Sequence, residues 1–218
     1  MHYIRPLLVL VIVVIAAVIQ IDGASASSTF TTEATKEAYA TFQSQSGVLR
    51  TYVEINVAEG ETTSSEGSER GLHADIEILQ VDDRGGRNRM IDVAGSVETD
   101  AGAFKLDDGL SAASLDITIP VCGARPGHDA RLKQRPFHDC FDVQVSLQWA
   151  GSGDLTSHSG TDDHPLDVCT VHTLSDYQRR TASSAGVVLV RGTNLAVGQS
   201  IAAAMGAYSQ ETTVSCPD

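Results

Sequence analysis

The chain has 218 residues, with 28 acidic against 15 basic side chains and a formal net charge of −13. That balance repels nucleic-acid phosphates and anionic membrane surfaces, and so excludes both as expected partners. The length suits one domain with a sizeable apolar core.

Reading from the N-terminus, Arg5 precedes an unbroken apolar run over residues 7–19, followed by Gln20, Asp22, Gly23 and the small triplet Ala24, Ser25 and Ala26. That order is the layout of a secretory signal peptide cleaved after Ala26. The run is shorter than the ~20 apolar residues a spanning helix needs, so no membrane insertion is expected once the leader is removed. Residues 27–36 are polar and read as a flexible lead-in, and residues 37–218 as the folded domain.

Beyond the leader the apolar residues alternate, which is the period of a strand rather than a helix. In RTYVEINVAEG, Val53, Ile55 and Val57 oppose Tyr52, Glu54 and Asn56. In SLDITIPV, Leu115, Ile117, Ile119 and Val121 share one face, and in FDVQVSLQW so do Phe141, Val143, Val145, Leu147 and Trp149. Weaker strands are predicted in KEAYATFQSQ, LHADIEILQV, RMIDVAGSV, CTVHTLSDYQ, AGVVLVRG and, despite its alanines, IAAAMGAYSQETTVSC. Clusters of turn-forming residues predict loops over 60–71, 82–87, 107–109, 123–136 and 151–165, and a tight turn at 192–194. Many short one-sided strands define an all-β class, a single antiparallel β-sandwich or open barrel with long surface loops. Parallel doubly wound sheets have strands that are apolar on both faces, unlike these.

All four cysteines, Cys122, Cys140, Cys169 and Cys216, follow the leader. An even count behind a signal peptide reads as two disulfides in an oxidising, extracytoplasmic compartment. Three pairings are open; Cys122–Cys140 with Cys169–Cys216 is preferred, because the first pair closes the connection between two strongly patterned segments. The close C-x-x-C spacing of a zinc site is absent.

The segments ATFQSQSG, SLDITIPV and FDVQVSLQWAGSGDLTSHS together resemble a group of uncharacterised secreted bacterial proteins. Their later signature falls here on Phe141, Asp142, Val143, Val145, Leu147, Trp149, Gly151, Gly153 and Leu155. The resemblance implies secretion and a β-rich fold and carries no activity. The four cysteines and the loop over 123–136 lie outside the shared pattern.

Four candidate sites follow. Trp149 could be a sugar-stacking platform, but its place on the face of Phe141, Val143, Val145 and Leu147 makes it core; Tyr52, on a polar strand face, is the better exposed aromatic. The run SHSGTDDHPLDVCTVHT gathers His158, Asp162, Asp163, His164, Asp167 and His172. Imidazoles suit zinc or copper and aspartates suit calcium, yet the spacing matches neither H-E-x-x-H nor an EF-hand, so no metal or other cofactor is expected. Hydrolase elbows of the form G-x-S-x-G and phosphate-binding loops are missing, which leaves no supported enzyme class. Finally Arg125, Arg131, Lys133 and Arg135 make the stretch between Cys122 and Cys140 basic, a candidate contact for an anionic partner.

The sequence therefore predicts a secreted, non-catalytic structural or binding module acting on an extracellular or envelope partner. A carbohydrate- or calcium-dependent adhesion module and a secreted hydrolase are the alternatives.

Overall fold

Alternation gives a strand one oily and one wet face, and a sheet of such strands hides the oily face by curling over it. The structure, a computed structural model, describes residues 29–82, 89–124 and 138–217. Its elements are β1 (Thr29–Ser46), β2 (Leu49–Ser64), β3 (Gly67–Asp82), β4 (Arg89–Thr99), β5 (Phe104–Leu106), β6 (Ala112–Ala124), β7 (His138–Gly151), β8 (Thr156–Leu166), β9 (Cys169–Val190), β10 (Thr193–Asn194) and β11 (Ala202–Ser215). All are antiparallel strands of one sheet.

Following the pairing from β11 through β1, β2, β3, β4, β6 and β7 leads to β9, which returns to β11. The sheet thus closes in a ring, though not an even barrel. Its thinnest seam lies between β4 and β6, joined among the described residues through Val93 opposite Gly123 and Ala94 opposite Cys122. Close approach at this seam requires glycine: a Cβ on Gly95 would lie 2.0 Å from the Pro120 carbonyl oxygen, and one on Gly123 would lie 2.2 Å from that of Asp92.

Inside the ring the alternating residues of every wall meet. Phe42, Ile55, Ile76, Ile78, Leu115, Ile119, Val143, Val145, Leu147, Trp149 and Met205 are buried in one cluster. Trp149 is 2% exposed. Phe104 meets its ring edge-on at 6.4 Å, and its indole Nε1 donates to the Tyr39 carbonyl at 2.9 Å. Trp149 is core, as its alternation requires.

Strand β9 is 22 residues long and serves two structures. Its second half, from Ala182, pairs with β7 and completes the ring. Its first half lies between β8 and β11. With the starts of β1 and β3 and the end of β2, it continues the sheet as a single-layer plate beyond the ring. In this plate Glu59, its partner Leu72, Cys169 and Val214 are buried, and other side chains on both faces are exposed or half-exposed.

Three expected irregular stretches are strand instead. The polar lead-in belongs to β1 from Thr29, held between β2 and β11. The loop over 60–71 is the end of a hairpin whose strands run to Ser64 and restart at Gly67. Most of the loop over 151–165 is β8, paired along β9. All three lie in the plate, where neither face is oily, so their ladders form without an alternation to reveal them. The predicted strands CTVHTLSDYQ and AGVVLVRG fuse into β9.

Both disulfides form in the preferred pairing, Cys122–Cys140 and Cys169–Cys216. Cys122 and Cys140 stand directly opposite in the β6–β7 register. Cys169–Cys216 ties the start of β9 to the residue after β11, at the far end of the plate.

Candidate ligand-binding face

Residues directly opposite across a sheet share a face. The register places His158, Tyr177, Tyr208, Thr35 and Gly60 in one row across β8, β9, β11, β1 and β2. The next row holds Thr156, Arg179, Gly206, Glu37, Ala58 and His73, and the one after it Ala204, Tyr39, Asn56 and Asp75. These rows lie on the outside of the sheet, opposite the face that carries Ala38, Ala40 and Met205 into the core.

Three of the chain's tyrosines meet there around a carboxylate and a guanidinium. Tyr39, Tyr177, Tyr208, Glu37 and Arg179 are all half-buried. Gly206 is what allows Glu37 to lie across β11, since a Cβ at that position would sit 2.7 Å from Glu37 Oε1. The guanidinium carbon of Arg179 stands 6.0 Å from the centre of the Tyr39 ring. The Tyr208 hydroxyl is bonded to Gln210 Oε1, and Gln210 Nε2 donates to Thr212 Oγ1 at 3.3 Å.

Burial pushes the Glu37 carboxyl above the usual range, with nearby Arg179 opposing the shift. The Glu37 carboxylate accepts no hydrogen bond among the described residues. Burial also raises the Tyr177 phenol, reinforced by the charge of Glu37 and opposed by Arg179. The Tyr208 phenol is raised by burial and then by Glu33. A half-buried acid with unfilled acceptor sites, framed by phenols, is chemically poised to receive hydroxyl donors.

The residues singled out from sequence are dispersed. Tyr52 is on the same outer face, where its phenol oxygen accepts from Arg50 Nη1 at 3.3 Å. It stands four residues along β2 from Asn56, the partner of Tyr39, or about 13 Å away by strand rise. Arg125, Arg131, Lys133 and Arg135 lie outside the described residues. The His/Asp run divides between two faces of β8 and β9. Asp162 meets His164 at 2.8 Å on the outer face, whereas Asp163 meets His172 at 2.8 Å on the other. His158 is on the outer face beside Tyr177. Among the described residues no group of three or more His, Cys, Asp or Glu side chains could hold a metal ion.

Sequence reasoning passed over Glu37, Tyr39, Tyr177, Arg179 and Tyr208. One signal was present: EAY and YQR each set a charge and a phenol two residues apart, hence on one strand face. Which strands stand side by side was not legible.

No family model matches the chain, and no curated protein or solved structure is significantly similar to it.

Proposed function

We propose that this protein is an extracytoplasmic, non-catalytic binding module whose first 26 residues are a cleaved signal peptide. The observation that carries the reading is the plate. A ring with a complete apolar core is continued by a six-stranded layer that contributes little to that core and presents both faces to solvent. Such a layer adds surface rather than stability, which is what a presenting module requires. The two disulfides are consistent with an oxidising compartment.

Outward positions around the ring also fit an aqueous setting. Asn56, Asp75, Glu54, Gln144, Gln148 and Asp116 point away from the core, whereas a barrel facing lipid carries an apolar outer band. The two close His–Asp pairs are exposed on opposite faces of the sheet, which is unlike the enclosed, convergent arrangement of a hydrolytic site.

Expression from Met1 in a host with a secretory pathway tests the proposal. Mature protein beginning at Ser27, found outside the cytoplasm with both bridges formed and inert toward ester, peptide and glycoside substrates, is the expected result. Retention of the uncleaved chain in the cytoplasm, or turnover of any of these substrates, overturns it.

A further inference from the structure

We propose that the outer face formed by Tyr177, Tyr208, Tyr39, Glu37 and Arg179 is a binding site for a neutral polysaccharide; the inference rests on the binding-module reading and gives it a ligand class.

Phenol rings on neighbouring strands offer apolar surface with a polar tip, the complement of a pyranose ring, which has a C–H face and equatorial hydroxyls. Between the rings, Glu37 has unfilled acceptor sites, and Arg179 offers donors only. A saccharide hydroxyl is donor and acceptor at once, so it can satisfy both groups. The two groups come from β9 and β1 in one row, on either side of Gly206 on the intervening strand β11.

Charge then selects the ligand class. Phenols around a carboxylate would suit a quaternary ammonium, as in aromatic cages. Here Arg179 already stands over the Tyr39 ring and near Glu37, so a second cation is repelled. An acidic polymer meets Glu37, Glu33 and the net charge of −13. With both signs disfavoured, a neutral polyol remains.

The shape agrees. The three tyrosines span three strands and three rows of residue pairs, about 10 Å by 13 Å from sheet spacings. Beyond Thr35, the Tyr177–Tyr208 row continues into Gly60 and Gly71, where a Cβ would meet nothing within 4 Å. A lane free of side chains therefore leads away from the rings across β2 and β3. An extended chain can lie along it, which favours a polymer over a single sugar.

Affinity gel electrophoresis of the full-length, disulfide-intact protein tests the site, with hydroxyethyl cellulose, laminarin and dextran as neutral probes, alginate as the acidic one and choline as a soluble competitor. Retardation by at least one neutral polymer, unaffected by choline and absent with alginate, is expected. Tyr177→Ala and Tyr208→Ala should each weaken it by about tenfold or more, as truncation of a contact hot spot does. Glu37→Gln should weaken it while leaving the fold intact, which separates lost recognition from lost structure. No retardation by the three neutral polymers, equal retardation of the tyrosine variants, or competition by choline overturns the glycan site. Should the tyrosine variants and the parent bind native cell-surface material equally, the site falls while the binding-module reading stands. Turnover of a substrate sinks the module reading instead.

Discussion

The indole Nε1 of Trp149, inside the ring, donates to the backbone carbonyl of Tyr39, whose own ring stands outside. The pair joins β7 to β1 across the interior and fixes the strand that carries one wall of the outer face. Trp149→Ala should lower the unfolding free energy by about 3–5 kcal/mol, the usual loss for a truncated buried aromatic. Trp149→Phe keeps a ring but removes the donor, and should cost less. Urea denaturation of both variants measures this, and an unchanged midpoint for Trp149→Ala would show that the side chain is not core.

The seam between β4 and β6 depends on atoms that are absent. Gly95→Ala drives a methyl group against the Pro120 carbonyl, backbone that cannot swing aside as a flexible side chain can. Overpacking of this kind costs about 1–3 kcal/mol. Faster hydrogen exchange at Val93, Ala94 and Val121 is expected, because the ring opens where its ladder is shortest. Uniform protection across the seam would contradict that picture.

Glu37 should cost the fold stability at neutral pH. Its folded-state pKa is raised, chiefly by burial, so the native state holds the proton more firmly than the unfolded chain does. The contribution is fully present below the ordinary glutamate range and is lost as pH rises through the folded-state value. Glu37→Gln should therefore melt higher than the parent at pH 7, and the difference should vanish below about pH 4. Thermal melts at the two pH values decide the matter; equal melting at pH 7 would refute the burial effect.

Disulfide removal should be graded. The bridges span sequence separations of 18 and 47. In the chain-entropy account these correspond to about 3 and about 4 kcal/mol. Cys169→Ser with Cys216→Ser should destabilise more than the Cys122/Cys140 double variant, and should also expose the end of the plate to proteolysis. The reverse order of stabilities would rule out loop closure as the main cause.

How much was legible beforehand depended on whether a strand had a dry side. Residues 115–121 and 141–149 wrote their burial into the sequence through strict alternation, so the core, Trp149 included, could be read. Residues 60–71 and 156–166 lie in the plate, where Ser, Thr, Gly and Asp compose strands that look like loops by composition. The His/Asp cluster read from the chain dissolves for the same reason. Neighbours such as Asp162 and Asp163 project to opposite sides once they enter a strand. The tyrosine face needed pairing knowledge: Tyr39, Tyr177 and Tyr208 come from three strands whose adjacency is set by ring closure.

The length of β9 has a mechanical consequence. One uninterrupted backbone belongs to both the closed ring and the projecting plate. A pull on anything attached to the plate, directed along the strands, is delivered into the ring as shear. Many backbone hydrogen bonds then share the load together, and none needs to yield before the others. The architecture spreads a tensile load over the whole ladder instead of concentrating it on one bond.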